Sequence, residues 1–321
     1  MKTIRTFLSL LINVLKENNN WFLIRLTTGV LRSPLLLANL SSQYLVFKTI
    51  SIPKFLGLSQ KQPIFPFKYL SKRYLSKSFT TYCRASAFSH HYLLLHDRLS
   101  ENFLNNILYD KAIIWQMEEN ANIFSIALAF SHPIHNEGEL SLFFRVNEIS
   151  VYILSFTFVP GNIVGLQAQD AILVTRAQGT KGQFPLIRLA TKTFREVSPL
   201  SSLVYALQGI ANALNIRHMV GVRGANYIYD NEPYPHDIDM KYEGFFVSIG
   251  AVKSSANLFY SSLPLQEKPL NLIKNGHRLR TKAKRKFKLQ IADEVCQTFA
   301  KNCAPTKIKH ADSVEEQHAS W

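Results

Sequence analysis

"EGELSLFFRVNEISVYILSFTFVPG", residues 137–161, decides the fold. Leu140, Leu142, Phe144 and Val146 fall on one face of an alternating run, the pattern of a strand with a single buried side. From Val151 to Val159 the chain is apolar on both faces, as a central strand buried between layers requires. Asn147-Glu148 lies between the two runs as a tight turn, so 140–146 and 151–158 are expected to form an antiparallel hairpin. Pro160-Gly161 ends it.

Outward from this hairpin, "KAIIWQME", "NIFSIALAFS" and "DAILVTRAQG" read as further strands. Upstream, "YCRASAFSHHYLLLHDRLSENFLNNILYD" has helical spacing at Leu93, Leu94, His96, Asp97 and Leu104. His90, His91 and His96 lack an acidic cluster or a shared face, so they read as packing or capping residues and no metal is expected. Downstream, Leu186 to Val197 reads as one helix and "SPLSSLVYALQGIANALN" as a second. Ser198 suits the N-cap, Pro199 the first helical position and Asn215 the left-handed residue after the end. "RHMVGV" is then a buried strand, "MKYEGFFVSIGA" a short helix ending near Gly250, and "NLFYSSLP" a last strand. The order predicts an α+β fold with a mixed, largely antiparallel central sheet flanked by helices.

The charge is placed unevenly. The net value is +15, yet residues 1–60 hold seven basic residues against Glu17, and 274–290 hold eight and no acid. The remainder is close to neutral, so the basicity marks two ends of the chain more than the body. Four parts follow: a basic helical region over 1–60, an α+β core over 61–273, a basic amphipathic helix over 274–291 and a tail over 292–321. Near the start, Ile4, Phe7, Leu8, Leu11 and Leu15 form a helical stripe, and the apolar runs there fall short of the roughly 20 residues that span a bilayer. With Cys83, Cys296 and Cys303 as the whole cysteine complement, a disulfide framework is not expected and a reducing compartment fits.

In "GHRLRTKAKRKFKLQ", residues 276–290, a helix would carry Leu279, Ala283, Phe287 and Ile291 on one face. Arg278, Arg280, Lys282, Lys284, Arg285, Lys286 and Lys288 crowd the rest. Such a helix suits an anionic membrane surface. A solvated charge run is the plainer alternative. A nucleic acid would use the same charges, but the chain lacks the reader motifs that usually accompany them.

Long motifs then arrive in one order: "KYLSKRYL…CRASAFSHHYLLL", "EGELSLFF", "LSFTFVPG", "RAQGTKGQFPLIRLATK", "SPLSSLVYALQGIANALNI", "VGV", "FFVSIGA" and "LPLQEKPL…GHRLRTKAKRKF". Together they resemble the VirK/YbjX family of bacterial proteins, from about residue 60 to 290. That resemblance implies a role in envelope integrity, antimicrobial-peptide resistance or virulence. It carries no settled activity. With the basic ends, it implies a cytoplasmic protein held peripherally on the inner membrane, acting on an unknown envelope component.

The layout from "AILVTRAQG" onward also resembles the cofactor half of GNAT-type acyltransferases. That resemblance implies acyl-CoA as cofactor, its pyrophosphate held by the turn Arg176-Ala177-Gln178-Gly179-Thr180-Lys181-Gly182 at a helix N-terminus. The turn is one residue longer between its glycines than the GNAT motif, and it can equally serve only to join strand to helix. The same layout offers Tyr242 as an acid, or as a rim aromatic. Glu137 and Glu139 are candidates for a base, or for charges at a sheet edge. His236, Asp237 and Asp239 form a further polar cluster, explained as well by a loop that caps the following helix.

Overall fold

The computed structural model describes residues 39–62, 64–131, 136–226, 228, 243–254 and 258–304. The stripe from Ile4 to Leu15, His236, Asp237, Asp239, Tyr242 and the chain after Ala304 lie outside the described residues.

An eight-stranded sheet organises the molecule, in the order β1-β2-β3-β4-β5-β6-β8-β7. Its strands are β1 (Ala112–Glu119), β2 (Asn122–Phe130), β3 (Leu140–Val146), β4 (Ile149–Pro160), β5 (Asp170–Gly179), β6 (His218–Val222), β7 (Val252–Lys253) and β8 (Leu258–Ser262). Every neighbouring pair is antiparallel except β5 and β6, which run parallel over Ile172–Val174 and Met219–Gly221.

The expected hairpin is β3–β4, with Leu142 opposite Leu154. Its turn places Asn147 at φ 48° and Glu148 at φ 69°, the left-handed pair that matches the twist of the strands. Asn147 earns its place twice. Its Oδ1 accepts from the Ile123 N–H at 2.8 Å and its Nδ2 donates to Asn122 Oδ1 at 2.8 Å, so the turn also pins the start of β2.

Helices α1 (Leu40–Ile50), α2 (Pro53–Lys61), α3 (Thr81–Arg98) and α4 (Glu101–Tyr109) precede the sheet. The stretch read as one helix over 82–110 is broken at Leu99, which is extended and bridges to Cys303, while Ser100 N–H donates to Asn302 O at 2.9 Å. A partner more than two hundred residues away thus ends α3, and local spacing could not foretell it.

The parallel step from β5 to β6 is made by α5 (Phe184–Thr193) and α6 (Pro199–Ala213). Ser198 caps α6 by accepting from the Ser201 N–H at 3.2 Å, and Asn215 is left-handed at φ 57°, both as expected. Helix α5 ends earlier than Val197, because Arg195 and Glu196 turn the chain at φ 53° and 66°. The short helix before Gly250 covers 243–248.

The last helix, α7, runs over Asn275–Lys301, so the boundary expected at 291 falls inside it. Ile291, Ala292, Val295 and Phe299 are buried, and Phe299 meets Phe103 edge-on at 5.3 Å. The apolar stripe expected to face a bilayer is split. Phe287 stacks on Phe194 at 4.8 Å and Ile291 is fully buried, whereas Leu279 is 84% exposed. Its C-terminal part faces the protein because the aromatic cluster of Phe124, Phe144 and Phe194 needs a lid.

Candidate functional site

Glu137-Gly138-Glu139 crosses the sheet where β4 and β5 lie side by side, and glycine is needed there. Gly138 has φ +135°, and a Cβ on it would sit 3.0 Å from both Phe156 N and Thr175 Oγ1. The crossing sends the two carboxylates into different surroundings.

Glu139 points into the core. Its Oε1 lies 2.9 Å from Lys68 Nζ, with both side chains fully buried, and Tyr92 donates its hydroxyl to Oε2. Tyr74 joins the group, its ring 5.5 Å from the Lys68 ammonium. Burial, and then the charge of Glu139, hold the phenols of Tyr74 and Tyr92 well above their ordinary range, so both stay protonated. Lys68 is delivered by a 3-10 turn over Phe65–Leu70, which Arg84 clamps by donating from Nε to Tyr69 O at 2.8 Å and from Nη1 to Phe79 O at 2.7 Å. His91, beside Tyr92, accepts the Phe158 N–H at Nδ1 over 3.1 Å and stacks on the Phe158 ring at 5.4 Å. Burial, then the charges of His90 and Lys68, keep it neutral, far below the usual histidine range. It packs, as expected, and His90 pairs with Asp170 at 2.9 Å.

Glu137 turns toward the edge of the parallel step. Its Oε2 accepts from Arg176 Nη1 at 2.7 Å, and the same guanidinium donates through Nη2 to Gln178 Oε1 at 2.9 Å. Three sequence candidates are therefore joined in one hydrogen-bonded group at the end of β5. Just past β6, Arg223 stands as far beyond the last paired residue, Gly221, as Arg176 does beyond Val174. Arg223 pairs with Glu243 at 3.3 Å, and Lys253 reaches the other oxygen of that carboxylate at 3.4 Å. The carboxyl ends of two adjacent parallel strands are the place where open mixed sheets gather ligand groups.

The glycine turn lies just beyond. Gly179 closes β5 opposite Tyr152, and the Thr180 N–H is taken by Val151 O at 2.9 Å. Gly182, at φ +80°, supplies the left-handed residue before α5, and Lys181 is exposed.

At α7 the structure separates the basic residues. Arg280 and Lys284 both reach Glu196, the latter at 2.9 Å. Arg285 and Lys288 reach Glu267, the former at 3.3 Å. Arg278 donates to the backbone carbonyls of Ile273 and Asn271. Lys282 and Lys286 have no ion-pair partner among the described residues. None of residues 275–290 is buried.

Sequence reasoning missed Lys68, Tyr74 and Tyr92. The available signal was Glu139 itself, an acid at the entry of an apolar strand, which must find a cation if buried. It missed Glu196 and Glu267 as well, since their cations come from a distant helix. Among the described residues no group of three metal-ligating side chains occurs, and no helix is long and apolar enough to cross a membrane.

The chain is thus an α+β protein whose largely antiparallel sheet turns parallel at one step, with a charged cluster at that step and a basic helix packed on α6 and β1. It belongs to the family described as "Protein of unknown function (DUF535)", whose model matches residues 31–301. That is the family to which the VirK/YbjX resemblance points. Neither the curated proteins nor the solved structures searched gave a match.

Proposed function

We propose that the protein docks on an anionic membrane surface through the first half of α7, as a peripheral factor of the bacterial envelope. The observation that carries this reading is the contrast within one helix. Residues 291–299 anchor it in the core, while none of 275–290 is buried, Leu279 is exposed, and Lys282 and Lys286 hold no ion-pair partner among the described residues. Each basic side chain near an anionic bilayer contributes about 1 kcal/mol, and a reversible dock needs only a few. The VirK/YbjX resemblance supports an envelope setting on the cytoplasmic face of the inner membrane.

The test is co-sedimentation with vesicles. Binding should require anionic lipid and fall as salt rises, since the Debye length shortens. Lys282→Gln with Lys286→Gln removes two cations that hold no intramolecular partner among the described residues. Losing about 2 kcal/mol there weakens binding roughly 30-fold at low salt. Equal binding to neutral vesicles, or tighter binding to RNA, would remove this reading and favour the nucleic-acid one.

A second reading, acyl-type transfer of GNAT kind, is favoured by one observation: Glu137, Arg176 and Gln178 meet beside the glycine turn, at the parallel step. In this reading the turn and Lys181 hold the pyrophosphate of acyl-CoA. A ligand at a hundred times its Kd adds about 2.7 kcal/mol to stability, so CoA should raise the Tm visibly, and Lys181→Gln should shrink the shift. A folded protein that shows no shift with several acyl-CoAs and CoA itself is a non-enzymatic factor in this respect.

A further inference from the structure

We propose that the cleft between α6, the 243–250 segment and α7 is a binding site for a single phospholipid molecule with an anionic headgroup. Its volume is about 690 Å³, inside the range of about 300–1,000 Å³ typical of ligand clefts. It lies apart from the glycine turn, none of whose residues lines it.

The walls are of two kinds. Val197, Phe245 and Leu265 give an apolar side, and Val247 at the same cleft is 60% exposed, an apolar side chain left in water. The other side chains that matter are Lys284 and Lys288 of α7 and Lys268 of the preceding loop, which line the same cleft. An aliphatic chain fits the first side, and a phosphate with its negative charge fits the second. A free anion would leave the apolar wall in water, and a neutral lipid would leave the positive excess of the cleft unmatched.

Two carboxylates also line the cleft and must be weighed. Glu196 is matched by Arg280 and Lys284, and Glu267 by Arg285 and Lys288. Lys268, Lys284 and Lys288 line the cleft against these two acids, and Arg280 and Arg285 reach the same carboxylates from outside the lining, so the cleft keeps a positive excess. Burial works against ionisation of Glu267, yet hydrogen bonds from Lys288 and Tyr205 and the charges of Lys288 and Arg285 outweigh it and hold its carboxyl below the usual range. That carboxylate orders Lys288 and Arg285 without titrating near neutrality. Burial, and then Arg280, lower the Lys284 ammonium, the behaviour of a cation that an added anion would stabilise.

Choosing a lipid over a free phosphate rests on the docking reading above. The experiment keeps the two apart by using lipid that forms no surface. Full-length protein is titrated with fluorescently labelled lysophosphatidylglycerol below its micelle concentration. Saturable one-to-one binding is expected, at least tenfold tighter than for lysophosphatidylcholine. Ser201→Trp, which fills the cleft from the α6 side without changing charge, should weaken monomer binding about tenfold, equal to about 1.4 kcal/mol. The same variant should change binding to anionic vesicles less than about twofold, because its α7 cations are intact. Lys282→Gln with Lys286→Gln should do the reverse. Should Ser201→Trp fail to fold, Ser248→Trp fills the same cleft from the 243–250 segment. The proposal is overturned if the wild type binds no monomer, if both tryptophan variants bind as the wild type does, or if inorganic phosphate displaces the probe at equal concentration. Loss of vesicle binding with monomer binding intact would instead count against the docking surface alone.

Discussion

Lys68→Met should cost about 3–5 kcal/mol of stability, the usual loss when one partner of a buried ion pair is removed. Lys68 Nζ sits 2.9 Å from Glu139 Oε1, and neither side chain reaches solvent. Without the ammonium, Glu139 must either stay charged with only the Tyr92 hydroxyl and the nearby Tyr74 for support or take up a proton. Each choice is unfavourable near neutral pH, because an apolar surrounding withholds the hydration that a carboxylate otherwise has. The pair as such is a poorer source of stability than the single-variant loss suggests, since desolvation offsets much of the attraction. Lys68→Met combined with Glu139→Leu should therefore recover most of the loss. Urea unfolding of the wild type, both singles and the double decides this. A single-variant loss under about 1 kcal/mol would mean that water reaches the pair and that the cluster is not a core feature.

The hairpin was legible because its signals are local. Alternation in 140–146, an apolar run from Val151 and an Asn at a left-handed turn all lie within one short stretch, and the structure obeys each of them. The strand β5 and the cap of α6 were legible for the same reason. What could not be read were features closed by distant partners. Helix α3 stops at Leu99 because Cys303 bridges to it. Phe287 and Ile291 turn inward because Phe194 and the α6 surface await them, though the same residues on a free helix would suit a bilayer. The site divides along the same line. Arg176 and Gln178 share one strand and were found together, and Glu137 was found as half of an "EGE" pair. That Glu137 goes to Arg176 while Glu139 goes to Lys68 depends on the crossing at Gly138, which spacing alone does not encode.

Gly209→Val should be about as damaging, for a reason of space instead of charge. Helices α6 and α7 cross so closely at Gly209 that an added Cβ would lie 2.4 Å from Ala292 O and 3.0 Å from Val295 Cβ. The first neighbour is backbone, which cannot rotate away. Alanine at this position gains up to about 1 kcal/mol in helix propensity, so a helix with room would be stabilised by it. Overpacking a tight contact costs about 1–3 kcal/mol, which outweighs that gain, so Gly209→Ala should come out destabilised. Valine adds two more carbons to the same contact and gives back part of the propensity through its branched Cβ, so its loss should reach about 3 kcal/mol or more. Melting of the two variants measures the pair, and an unchanged Tm for Gly209→Val would mean the crossing is looser than described. The consequence reaches the surface. Lys284 and Lys288 stand at the cleft on a helix whose other half Ile291, Val295 and Phe299 hold in the core, with Phe287 stacked on Phe194 between the two lysines. A variant that lifts this half should therefore weaken lysophosphatidylglycerol binding in the cleft more than it weakens vesicle binding, since cations on a loosened helix can still meet a bilayer.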